Sequence, residues 1–173
     1  MNEAPLAVRF EADRIAARIA EIAARLDADF KDEAPILVSI LKGAAFLTAD
    51  LARRMRGPAS CEYISVRREE GSDEIVQIDF ATGFAVTGRA VVLLKDVVNT
   101  GVIETYLSEH LRAGGARSIR VAAIVDKPLE RRTDIAVDYA LFTAESGTFV
   151  GYGMERAGRY GTLPYVGELP LEQ

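Results

Sequence analysis

The stretch Val91-Val92-Leu93-Leu94-Lys95-Asp96-Val97-Val98-Asn99-Thr100-Gly101 decides the fold. A nearly continuous apolar run at residues 90–94 suits a strand buried on both faces. Residues 96–101 then read as a short polar loop. Helical spacing resumes over residues 102–112 and stops at Gly114-Gly115. Strand, turn and helix in that order form the front half of a βαβ unit. The turn has chemistry of its own, because the backbone N–H groups that open a helix are unpaired and partly positive, a ready receptor for phosphate. Gly101 lets an anion approach the backbone and Thr100 offers a hydroxyl. The same residues also fit an ordinary strand-to-helix connection, with Asn99 or Thr100 as the N-cap.

The pattern repeats on either side. Residues 9–30 predict an amphipathic helix, since Ile15, Ile19, Ile22 and Leu26 recur at spacings of four, three and four. Residues 36–41 predict a buried strand and residues 44–55 a helix. Residues 61–66 and 75–80 alternate as a hairpin, joined by the polar segment 67–73. Residues 118–125 and 137–142 predict two more buried strands, and the Gly- and Tyr-rich segment 151–161 reads as irregular. The expectation is one α/β domain over residues 1–173, with a mainly parallel central sheet flanked by helices and right-handed crossovers. In such sheets ligands bind beyond the carboxyl ends of the strands, which directs attention to the loops after Leu41, Leu94 and Val125.

Composition narrows the function. The 173 residues carry 21 Lys plus Arg against 26 Asp plus Glu, a formal net charge of -5, which argues against an electrostatic nucleic-acid binder. One cysteine, Cys61, and one histidine, His110, leave no disulfide framework, Cys-based zinc cluster or multi-His metal site. No long apolar run and no charged-then-apolar leader is present, so the expectation is a cytoplasmic protein with no membrane partner. There is no glycine-lysine phosphate loop of the Walker type, and Gly151-Tyr152-Gly153 makes a poor dinucleotide fingerprint. His110 is expected to pack on the apolar side of its helix with Ile103, Tyr106, Leu107 and Leu111. Cys61 is expected to be a buried, inert thiol.

Several landmarks in order then carry a family resemblance: Leu41-Lys42-Gly43-Ala44, the stretch from Val91 to Gly101, Asp126-Lys127-Pro128, Val137-Asp138-Tyr139, Val150-Gly151-Tyr152-Gly153 and Leu163-Pro164-Tyr165. Over nearly its whole length the chain resembles the type I phosphoribosyltransferases, and among them the bacterial hypoxanthine-guanine enzymes. The resemblance implies that family's fold, with a small hood, and transfer of ribose 5-phosphate from phosphoribosyl pyrophosphate to a 6-oxopurine, as in purine salvage. It implies Mg²⁺ as a cofactor and a homodimer or homotetramer. Residue by residue, it implies a pyrophosphate loop at Lys42 and Gly43, and contact of Asp96 with the ribose hydroxyls. A 5′-phosphate cradle would run over Asn99, Thr100, Gly101, Val102 and Ile103. Lys127 would contact the purine O6, and Tyr139, followed by Ala140, would supply the aromatic that stacks on the base. Asn99 and Lys127 stand as the catalytic candidates.

The departures from the family fall on the chemistry. Lys95 stands where the family has a first ribose-binding acid, and Asn99 where it has the aspartate facing purine N7. Formal charge there changes from -3 to -1, and the ligands expected of Mg²⁺ are depleted. Ile103 replaces a phosphate-binding threonine. Ser146 falls where an aspartate often reaches the metal, and Gly161 where an arginine often reaches pyrophosphate. The hood segment 67–73 lacks a tyrosine. A cation such as Lys95 about 5 Å from a developing oxocarbenium ion, at an effective dielectric near 20, costs roughly 3 kcal/mol, on the order of a hundredfold in rate. The alternative reading is therefore a weakened or inactive homologue that binds purine nucleotides in a regulatory role.

Overall fold

The computed structural model describes residues 6–68, 75–80 and 83–170. The chain opens with a short strand, β1 (Ala7–Phe10), and passes through the extended Glu11 into helix α1 (Ala12–Asp29). Strand β2 (Ile36–Leu41), helix α2 (Ala45–Arg54) and the strands β3 (Ser60–Arg68) and β4 (Ile75–Phe80) follow. Next come β5 (Ala90–Val98), helix α3 (Val102–Ala113), β6 (Ser118–Asp126) and a single 3₁₀ turn at Pro128–Glu130. The chain finishes with β7 (Tyr139–Thr143), β8 (Thr148–Val150) and β9 (Val166–Leu169).

Six strands form the main sheet in the order β4-β3-β2-β5-β6-β7, parallel except for the β3–β4 hairpin. This is the α/β architecture expected. The runs in β2 and β5 are apolar at successive positions because each face has its own helices to cover it. Leu37, Val92 and Leu94 pack with Ile15, Ile19, Ile22 and Leu26 of α1 and with Leu47 and Leu51 of α2. Their sequence neighbours Ile36, Val38, Ile40, Val91 and Leu93 pack on the other face with Ile103, Leu107 and Leu111 of α3. A side-chain period of two therefore divides the core into two layers.

Four expectations are corrected. The predicted first helix begins too early: Phe10 belongs to β1, which pairs antiparallel with β9, and its ring stacks on Phe142 at 3.9 Å. A second sheet, β1-β9-β8, thus joins segments far apart in sequence, two of them flanking the irregular stretch 151–161 and assigned no element from the sequence. Strand β5 continues past Leu94 to Val98, because its ladder with β6 runs on through Val97↔Val125 and Val98↔Asp126. The loop shrinks to residues 99–101. His110 is exposed, as is Tyr106. At 100° per residue, the buried arc of α3 is turned toward Glu104 and Ser108 and leaves both rings on its edge. Cys61 is partly buried; burial, and then the charge of Glu62, raise its thiol pKa and favour the unreactive form. The hood segment is a further case: residues 69–73 of it lie outside the described residues.

Candidate active site

The carboxyl ends of β2, β5 and β6 bring most of the candidates together. Asp96 anchors the group. Its Oδ1 accepts the Val97 N–H at 2.8 Å and the ammonium of Lys95. Its carboxylate lies so close over Gly43 that a Cβ at that position would sit 1.9 Å from Oδ2. The loop after β2, entered through a cis peptide between Leu41 and Lys42, is thereby in contact with the turn after β5. Lys42 reaches Glu155 at 3.5 Å.

Asn99, Thr100 and Gly101 connect β5 to α3, with Gly101 in the left-handed region at φ 80° as the helix N-cap. No side chain caps the helix, and the Thr100 hydroxyl stands 3.5 Å from the Val102 N–H, too long for a strong bond. The segment after β6 clamps this turn from outside. Arg131 donates from Nε to the Asn99 carbonyl at 2.9 Å, and the Arg132 N–H donates to the Thr100 carbonyl at 2.9 Å. The guanidinium of Arg131 also binds Asp126 and the Ile135 carbonyl. Gly101 is buried, and a Cβ there would meet Ile135, Thr133 and Arg131 within 2.7 Å. Its missing side chain admits this clamp rather than an anion, so whatever anion the turn receives must meet N–H groups of the first helical turn. Ile103 can offer only its N–H, since its side chain is in the core.

Lys127 sits at the end of β6 with its backbone N–H on the Val98 carbonyl, and it is only 7% exposed. Its ammonium donates to the Gly147 carbonyl at 3.0 Å and pairs with Glu130 at 2.6 Å. Ser146, next to that carbonyl, is exposed. Besides Asp96, the acid that approaches the Lys42–Gly43 loop is Glu155, against whose side chain Gly161 packs.

Tyr139 is not brought to this group. It lies in the row Leu94↔Ala122↔Tyr139, four residues short of the row Val98↔Asp126↔Thr143 at the carboxyl edge. At about 3.3 Å per residue that is roughly 13 Å away. Its hydroxyl donates to Asp29 at 2.6 Å at the end of α1, and the Arg25 guanidinium covers its ring at 4.9 Å. Burial and the Asp29 acceptor push its phenol far above the usual tyrosine range. Tyr139 is therefore core, and the carbonyl of Ala140 beside it is taken by Arg18 at 3.0 Å. A register count along β7 would have exposed this placement.

Two groups escaped the sequence reading. Arg131 lies in a mixed-charge run that reads as solvated surface. Glu104 looks like an ordinary helix-start acid, yet it is 3% exposed. Burial raises its pKa, opposed first by Lys95. A carboxyl that holds its proton more tightly when folded loses stability as pH rises from its ordinary value of 4.5 through the raised folded value. Glu104→Gln should remove that contribution, so the variant should lose less stability than the parent between pH 4.5 and neutrality. Parallel melting-temperature slopes for the two proteins would contradict this.

A phosphoribosyl transferase domain model matches residues 10–156. The chain belongs to the phosphoribosyl transferase family. Among curated members of this family it is 31% identical over 163 residues to the hypoxanthine-guanine phosphoribosyltransferase of Bacillus subtilis (strain 168), covering 91% of this chain and 89% of that one. It is 30% identical over 171 residues to the Mycobacterium tuberculosis enzyme of the same name, covering 94% and 85%. Among solved phosphoribosyltransferase structures, the Trypanosoma cruzi hypoxanthine enzyme superposes with a TM-score of 0.89 at 25% identity, covering 98% of this chain and 95% of that one.

Within this phosphoribosyltransferase, Mg²⁺ meets a poor set of donors. Asp96, near the end of β5, is the acid beside the turn, and its Oδ1 is occupied by an ammonium and an N–H. Among the described residues no three His, Cys, Asp or Glu side chains come together. The described residues do not fit a divalent cation, which needs several free oxygen donors.

Proposed function

We propose that the chain transfers ribose 5-phosphate from phosphoribosyl pyrophosphate to hypoxanthine or guanine. The observation that carries this reading is the Asp96 carboxylate lying over Gly43, which joins the phosphate-type turn to the Lys42–Gly43 loop within one site. In the reaction the C1′–O bond to pyrophosphate breaks and pyrophosphate leaves with the electron pair. The purine N9 then bonds to C1′ of an oxocarbenium-like ribose. The proton lost by the imidazole ring goes to solvent, because the Asn99 carboxamide is no base at neutral pH. Asn99 keeps hydrogen-bonding capacity toward N7. Asp96 holds ribose hydroxyls, the N–H groups opening α3 receive the 5′-phosphate, and Lys127 donates to the purine O6 with the third N–H, the one given to neither Glu130 nor the Gly147 carbonyl. Positioning and charge stabilisation carry such a reaction.

The hundredfold penalty expected of Lys95 applies to a bare cation. Here the ammonium is paired with Asp96, which cancels much of its field at C1′. The curated relatives also favour the transferase over a purely regulatory nucleotide binder. The same reading includes a cytoplasmic setting and a homodimer or homotetramer, the latter measurable by sedimentation. Incubation of the protein with phosphoribosyl pyrophosphate and guanine or hypoxanthine, with and without Mg²⁺, should yield guanosine or inosine monophosphate. Product no greater than in a protein-free control would refute it.

A further inference from the structure

We infer that the Lys95 ammonium is a built-in counter-ion that replaces a divalent cation at this site, so that the protein binds pyrophosphate without metal. The inference rests on the reading of Lys42 and Gly43 as a pyrophosphate loop and deepens it. Lysine is almost never buried unless paired, because desolvating its charge is expensive. The Lys95 side chain is nonetheless only 15% exposed, beside Asp96, whose carboxylate reaches the Lys42–Gly43 loop. Asp96 binds its ammonium directly, and the Lys95 charge opposes the rise in pKa that burial gives Glu104 in the first turn of α3. The arrangement therefore reads as a site built around a cation, with the cation supplied by the chain.

Three donors on an ammonium leave capacity beyond the one given to Asp96. The Asp96 carboxylate that holds it through Oδ1 lies over Gly43 with Oδ2, so one carboxylate links the ammonium to the loop that would carry pyrophosphate. The other cation of that loop is easily released. Lys42 is 81% exposed and meets Glu155 at 3.5 Å, an open-surface pair worth little that an incoming polyanion can displace. Lys42 from one side and Lys95 from the other then offer two ammonium groups to a polyanion, with the Asp96 carboxylate that Lys95 keeps offsetting one of the two charges. A carboxylate already shared by an ammonium and an N–H has correspondingly little to give a hard metal.

The test is calorimetric titration of inorganic pyrophosphate into the full chain, in excess Mg²⁺ and in EDTA, for the parent, Lys95→Met and Lys95→Glu. Guanosine monophosphate is titrated in parallel. For the parent, the pyrophosphate Kd should agree within about threefold between the two buffers, since charge-assisted bonds from the chain supply the affinity. Lys95→Met, which keeps the volume without the charge, should weaken binding in EDTA by about tenfold or more. Lys95→Glu should bind only with Mg²⁺. A parent that binds pyrophosphate about tenfold more tightly with Mg²⁺ overturns the inference. So does pyrophosphate binding in neither buffer, or a folded Lys95→Met equal to the parent in EDTA. Circular dichroism checks folding, and if Lys95→Met does not fold, the parent and Lys95→Glu titrations decide. Failure of guanosine monophosphate to bind, with metal-independent pyrophosphate binding retained, would sink the purine reading and leave the counter-ion in place.

Discussion

Gly43→Ala should lower kcat/KM for phosphoribosyl pyrophosphate by about a hundredfold or more, close to 3 kcal/mol of transition-state stabilisation. The added Cβ would fall 1.9 Å from Oδ2, 2.5 Å from Cγ and 2.7 Å from Cβ of Asp96. Since the clash reaches the root of that side chain, turning the carboxylate is not enough. Either Asp96 leaves the loop or the loop leaves Asp96. Both separate the proposed ribose-binding acid from the proposed pyrophosphate loop, and a displacement of about 1 Å is enough to cost two orders of magnitude. Lys95 would also lose its fixed partner, which restores the bare cation whose repulsion the pair cancels. Gly83→Ala is the control, because nothing lies within 4 Å of the point where its methyl group would stand. A Gly43→Ala enzyme within about threefold of the parent would show that the contact between loop and turn does not matter to transfer.

The second large effect is on the fold. Gly151→Ala should destabilise the protein by about 3 kcal/mol or more, lowering the melting temperature by about 10 °C. Gly151 has φ +93°, and a Cβ there would lie 2.1 Å from the backbone carbonyl oxygen of Tyr165. The left-handed conformation itself costs a side chain about 1–2 kcal/mol. The backbone carbonyl cannot rotate away without disturbing the chain that leads into β9, which is the central strand of the second sheet. Gly158→Ala separates the two causes. It has φ +71° with nothing within 4 Å, so it should show the conformational cost alone, about 1 kcal/mol. Equal losses from the two substitutions, measured by denaturant unfolding, would mean that the carbonyl contact relaxes freely.

Much of the site was legible because its signals are local. An apolar run that ends in Lys-Asp, a polar turn and a helical pattern specify a strand end and a helix start without help from the rest of the chain. The loops after Leu41, Leu94 and Val125 are legible this way, since each follows a strand whose composition announces burial on both faces, while the roles of Lys42, Asp96, Asn99 and Lys127 within them come from the family resemblance. Tyr139 was misassigned because its place depends on register. In a buried strand every residue is apolar, and nothing in the run says how far along the ladder each one lies. Glu104 was missed for a related reason: the exposed and buried arcs of a short helix are told apart only by what packs on them.

By itself, then, the sequence determined the parallel sheet, the period-two division of its core and the turn at its carboxyl edge, because those follow from hydrophobic spacing and turn chemistry over a few residues. Only the tertiary structure decided that β1 joins β9, that Tyr139 bonds Asp29 far from the site, that Arg131 clamps the turn, and that Lys95 is held by Asp96 with Glu104 buried nearby. Each of these pairs groups whose meeting depends on register, on helix rotation or on chain closure over long separations. Such meetings are selected by the packing free energy of the whole fold and leave no periodic trace in the segments that make them.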